Sequence, residues 1–123
     1  MNKPPVAVLL LSCLFIAVGV GSFVVHLTGF KPHQPFLQEL FWISLVNLAA
    51  VVAGIFMLRG RNWAAWLALA WMAFHVGLSF FHSRQELLVH CLFFVLIGWL
   101  LFRPGSRSYF HKGTRNALKE QAE

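Results

Sequence analysis

The chain should fold as an all-α integral membrane protein, an antiparallel four-helix bundle. Its apolar fraction is 59% and its charged fraction 11%, against roughly 45–50% and about 25% in soluble domains. A soluble fold of 123 residues leaves much of its surface in water and could not hide so much apolar area. The apolar residues also cluster, into stretches at 6–27, 36–58, 63–81 and 87–102 that hold no Asp, Lys or Arg. The first three match the ~20 residues that cross a ~30 Å hydrocarbon core as a helix. The fourth reaches that length once its capped first turn is added.

The first helix, about 6–28, ends at Thr28-Gly29, a common stop because glycine takes the left-handed conformation freely. Lys3 ahead of an apolar run also suits a cleaved signal peptide, and Leu10-Leu11-Ser12-Cys13 loosely resembles a lipoprotein processing site. The run is longer than a ~7–15-residue signal core and stays apolar through Phe15, Ile16 and Val18. An uncleaved helix is therefore expected. Pro32 and Pro35 separate it from the second helix, about 35–58, where Pro35 suits the first helical position. Residues 59–62 make a tight connection, with Gly60 just beyond the second helix and Asn62 expected as N-cap of the third, about 63–81. Ser83-Arg84-Gln85-Glu86 matches a capping box and starts the fourth helix, about 84–102. Arg103-Pro104-Gly105 stops it. Residues 1–104 thus form one four-helix domain, with connections short enough to make neighbouring helices antiparallel, and 105–123 form a basic cytoplasmic tail. In that tail Tyr109 and Phe110, between Arg107 and Lys112, are placed either on anionic headgroups or on a solvated end.

Lys3, Arg59, Arg61, Arg103, Arg107, Lys112, Arg115 and Lys119 fall on one side of these helices, and only Lys31 and Arg84 on the other. Under the positive-inside rule this puts both termini in the cytoplasm. The net charge of +6 is spent on orientation. No basic stripe interleaved with aromatics forms a nucleic-acid surface. Small residues four apart, Ala17/Gly21, Ala49/Ala53, Ala50/Gly54 and Ala73/Gly77, let helices approach closely inside the bundle, in a homo-oligomer or against a membrane-protein partner. Trp42, Trp63, Trp66 and Trp99 fall near the boundaries and Trp71 mid-helix, the pattern of interfacial belts plus one packing residue. Cys13 and Cys91 lack a CxxC arrangement and are not expected to form a disulfide, which needs Cα atoms within about 7 Å.

Chemistry is invited chiefly by the six histidines. His26 and His82 fall at the outer ends of their helices, His33 falls in the outer loop, and His90 lies about one turn, ~6 Å, below Glu86. His75 is ~10 Å deeper than His82. Imidazole with carboxylate suits divalent transition metals, so His82, His90 and Glu86, with His26 if the first helix packs alongside, form a candidate metal set. A haem with an axial histidine is a further possibility. Histidines near helix ends also meet headgroups and water at little cost, and Glu39 and Glu86 suit the helix dipole without any ligand. His75 is deep enough to need a partner, and Asn47 on the second helix is the candidate for an intramembrane polar pair.

Several activities are excluded by missing parts. No mid-span carboxylate exists to relay protons as small four-helix drug antiporters require, and the charge bias opposes the dual insertion of such antiporters and of fluoride channels. The disulfide-generating and quinone-reducing four-helix families need a CxxC pair. A non-enzymatic accessory or structural membrane component is the leading expectation, with a metal- or haem-binding redox or transport protein as the alternative.

Arg61-Asn62-Trp63-Ala64-Ala65-Trp66, Phe74-His75-Val76 and Leu101-Phe102-Arg103-Pro104, continuing to Arg107-Ser108-Tyr109-Phe110, resemble segments of a set of small uncharacterised bacterial four-helix membrane proteins. The resemblance covers residues 61–112, less than half of the chain. It implies a bacterial inner-membrane setting and brings no functional residue with it.

Overall fold

The computed structural model describes residues 3–28 and 36–123, with backbone only for 36–39. The readings placed on Gly29, Lys31, Pro32, His33, Pro35 and the Glu39 side chain lie outside these residues. The described chain is helical throughout, as α1 (Val6–Thr28), α2 (Phe36–Leu58), α3 (Asn62–Phe80), α4 (Arg84–Phe102) and α5 (Pro104–Ala122). The first four each contain a segment long and apolar enough to cross a membrane. Their outer faces carry large apolar side chains all round, among them Leu10, Val25, Phe41, Leu48, Phe80, Leu92 and Val95.

The helix ends have local causes. Arg61 N–H donates to Phe56 O and Gly60 N–H to Met57 O, both at 3.0 Å. This paired closure satisfies the orphan carbonyls of α2 and needs a left-handed residue between them, which Gly60 supplies at φ 72°. Ser83 accepts from Glu86 N–H at 3.2 Å, so the expected cap of α4 is made. The expected cap of α3 is not. Arg61 holds the N-cap position without a side-chain bond, and Asn62 is already helical because the turn closes so tightly. Its free N–H instead faces Thr114 Oγ1 of α5, at 3.4 Å.

Helices α1 and α2 make the closest seam. A Cβ at Gly54 would meet Ser12 O at 2.7 Å, and one at Gly19 would meet Asn47 O at 2.8 Å. Of the small-residue pairs, Ala50/Gly54 works inside the bundle. Ala17/Gly21 and Ala73/Gly77 face outward, with nothing within 4 Å of either glycine's missing Cβ. The core joins Phe15, Met57, Ala65, Ala68, Met72, Ile97 and Leu101. Cys13 and Cys91 are both free.

The segment read as a polar tail is a docked helix. Ser106, Tyr109, Phe110 and Ala117 are buried along one face of α5, at helical spacing, while Arg107, Lys112, Arg115 and Lys119 are exposed. Three hydroxyls on the inner side reach three other helices. Ser106 Oγ donates to Leu100 O of α4 at 2.6 Å, Tyr109 donates to Leu58 O of α2, and Thr114 faces the start of α3. Helix termini leave such backbone groups unpaired, so α5 completes the basic end of the bundle. Tyr109 and Phe110 therefore sit in protein, neither on headgroups nor in solvent.

Burial pushes the Tyr109 phenol above its ordinary value of 10.0. Folding thus favours the protonated phenol. Its contribution is complete below about pH 10 and is lost as pH rises through the higher folded value. Tyr109→Phe should cost about 1 kcal/mol at neutral pH, with Leu58 O left unpaired, and should abolish this alkaline step. Thermal melts in detergent across that range check both.

Candidate functional site

Beside the core residues Phe15, Met72 and Ile97 lies a cavity of about 310 Å³. Its walls include Leu14, Phe15, Val18 and Ser22 of α1, Val89, His90 and Phe93 of α4, and Trp71 and His75 of α3. Asn47 of α2 lines it too. The opening lies between α1 and α4, flanked by the exposed side chains of Leu14, Val18, Val89 and Phe93. Among the described residues no Asp, Glu, Lys or Arg reaches the lining.

Each polar group has a definable role. His75 Nδ1 lies 2.9 Å from Trp71 O, and a carbonyl only accepts, so Nδ1 carries the proton. His90 Nδ1 lies 2.8 Å from Glu86 O and 2.8 Å from Ser79 Oγ. Ser79 donates its own hydroxyl hydrogen to His75 O at 2.8 Å, so its oxygen accepts from His90. The two rings stand 6.2 Å apart between centroids. In both, the backbone occupies Nδ1 and leaves the Nε2 lone pair of the neutral ring for another partner. Asn47 is 7% exposed, and its Nδ2 has no hydrogen-bond partner among the described residues. A buried amide without a partner costs ~1–3 kcal/mol.

Trp71 fixes this geometry. Its Nε1–H donates to Val46 O at 2.8 Å, its ring meets Phe15 edge-on at 5.4 Å, and His75 packs against it at 3.9 Å. Trp71→Phe should therefore lower stability by about 1 kcal/mol, the worth of one hydrogen bond, measured as a lower melting midpoint.

The sequence-derived set is only partly assembled. His90 reaches the cavity with His75, a pairing across α3 and α4 that spacing alone did not single out. His26 turns back onto Ser22 O at 2.7 Å and lines a neighbouring crevice of about 290 Å³ with Asn47 and His75. His82 sits exposed in the α3–α4 turn and Glu86 exposed in the first turn of α4, where its backbone carbonyl, not its carboxylate, meets His90. Among the described residues no three His, Cys, Asp or Glu side chains gather closely enough to hold one ion. The reason is rotational: His90 faces Ser79, a turn below His82 on α3. Asn47 and His75 both line the cavity, yet His75 bonds its own helix and Asn47 Nδ2 has no partner among the described residues.

Ser79 was missed by sequence reasoning. Trp71, His75 and Ser79 recur every fourth residue, a stripe on one helical face that could have flagged it. No protein-family model, curated protein or solved structure was found to match the chain.

Proposed function

We propose that the chain is a four-span integral membrane protein, both termini cytoplasmic, that serves as a non-enzymatic accessory component by holding a small ligand within the membrane. Four apolar helices with apolar outer faces support the membrane setting. The eight-to-two distribution of basic residues supports the orientation. The resemblance of residues 61–112 adds a bacterial inner membrane to this reading. A reporter fused after Glu123 should behave as cytoplasmic, and extracytoplasmic activity would overturn the orientation.

The observation that carries the ligand-holding role is the buried Asn47 amide, without a partner among the described residues, on the wall of a cavity that opens sideways between apolar helices. Concave, mostly apolar sites with a few convergent polar groups are where small molecules bind. Catalysis finds little support in this site: among the described residues no charged side chain lines it, and Ser79 meets His90 as an acceptor, with its own hydrogen given to His75 O. Outward-facing Ala17/Gly21 and Ala73/Gly77 leave room for a second copy or a partner helix to approach. Native mass spectrometry of protein extracted gently from membranes should show a retained small molecule, lost from Asn47→Leu. A wild-type chain that carries nothing sinks the reading.

A further inference from the structure

We infer that the cavity between α1 and α4 binds the hydroxylated aromatic ring of a neutral, lipid-borne quinol, and prefers that reduced form to the quinone. This rests on the ligand-holding reading above and names the ligand class.

The polar groups set the requirement. Asn47 Nδ2 offers donors with no partner among the described residues, while the Nε2 atoms of His75 and His90 offer lone pairs once Nδ1 of each is held by a backbone carbonyl. A single hydroxyl answers both, since it accepts from the amide and donates to an imidazole. A carbonyl answers only the amide. An ether oxygen likewise accepts and donates nothing. Ammonium and carboxylate ligands are disfavoured because no opposite charge among the described residues lines the site and an unpaired charge there is costly.

The apolar walls set the rest. Phe15, Trp71 and Phe93 present aromatic surface to the cavity, which suits a planar ring through stacked or edge contacts. About 310 Å³ lies at the small end of ligand pockets and takes one substituted ring. The mouth between α1 and α4 is framed by Leu14, Val18 and Val89, all exposed and apolar. A ligand with an aliphatic tail can leave that tail among lipid while its ring enters.

The test is anaerobic calorimetric titration of the full chain in detergent micelles with decyl-1,4-benzoquinol, decyl-1,4-benzoquinone and the dimethyl ether of the quinol. The expected result is saturable binding of one quinol per chain, with quinone and diether about tenfold weaker, the worth of one buried hydrogen bond. The wild-type comparison needs no variant and so does not depend on any variant folding. Asn47→Leu should weaken all three probes, and the double change His75→Phe with His90→Phe should erase the preference for quinol. Equal binding of the three probes overturns the hydroxyl assignment and leaves the ligand-holding reading standing. No saturable binding of any of them, alongside a different molecule retained on extraction, overturns the quinol class. No binding and no retained molecule overturn both readings.

Discussion

Phe110→Ala is expected to release α5 from the bundle. Phe110 is 1% exposed and is among the largest fully buried side chains of the described residues. Truncating such a phenylalanine costs about 3–5 kcal/mol, the lost burial plus the cavity left behind. The rest of α5's docking consists of the Tyr109 ring beside Phe110, three hydroxyl contacts and small residues. An isolated helix of this length is marginal in water, so once undocked it should melt. Limited trypsin digestion of the purified protein provides the readout, because Arg107, Lys112, Arg115 and Lys119 lie along the helix. Rapid cleavage there, with α1 to α4 still helical, is the expected result for the variant. Equal resistance of variant and wild type would show that α5 is not held by this side chain.

Gly54→Leu should be the most damaging single change within the four long helices. Even a Cβ at this position falls 2.7 Å from Ser12 O and 3.2 Å from Ile16 N, both backbone atoms that cannot rotate aside. Overpacking a close seam costs about 1–3 kcal/mol and sometimes more. Here it must push α1 away from α2 along the seam that also carries Gly19. The matched control is Gly77→Leu, where nothing lies within 4 Å of the missing Cβ. A large drop in melting midpoint for the first and almost none for the second is expected. Equal effects would mean that α1 and α2 do not pack as described.

These two glycines also mark how far the sequence can be read. Gly54 and Gly77 each close a small-residue pair of the same spacing, yet one sits in a seam and the other faces out. In a soluble helix, an apolar stripe against a polar one reveals the buried face. Here both faces are apolar, since lipid-like surroundings and protein interior ask for the same residues. Helix rotation leaves almost no trace in the sequence. Helix ends do leave one: Gly60, Ser83 and Pro104 act through local backbone chemistry, and the termini of α2 and α4 fall where those residues put them.

The same distinction explains the site. Depth follows from position along a helix, so His75, Asn47 and His90 could be placed in one half of the bundle. Which of them meet depends on rotation, and so the set built on His82 and Glu86 failed to gather. Helix α5 was hidden for another reason. Its inner face is built from Ser106, Tyr109, Phe110, Gly113, Thr114 and Ala117, half of them hydroxyl-bearing. That stripe has the period of a buried face without the hydrophobicity that usually announces one.

The three hydroxyls of α5 have a kinetic consequence. Leu58 O, Leu100 O and the Asn62 N–H are all met by one element, which must lift before the Asn62 amide can exchange with solvent. Deuterium uptake at Asn62 should therefore track uptake along α5, as in a single cooperative opening, although residue 62 and α5 are far apart in the chain.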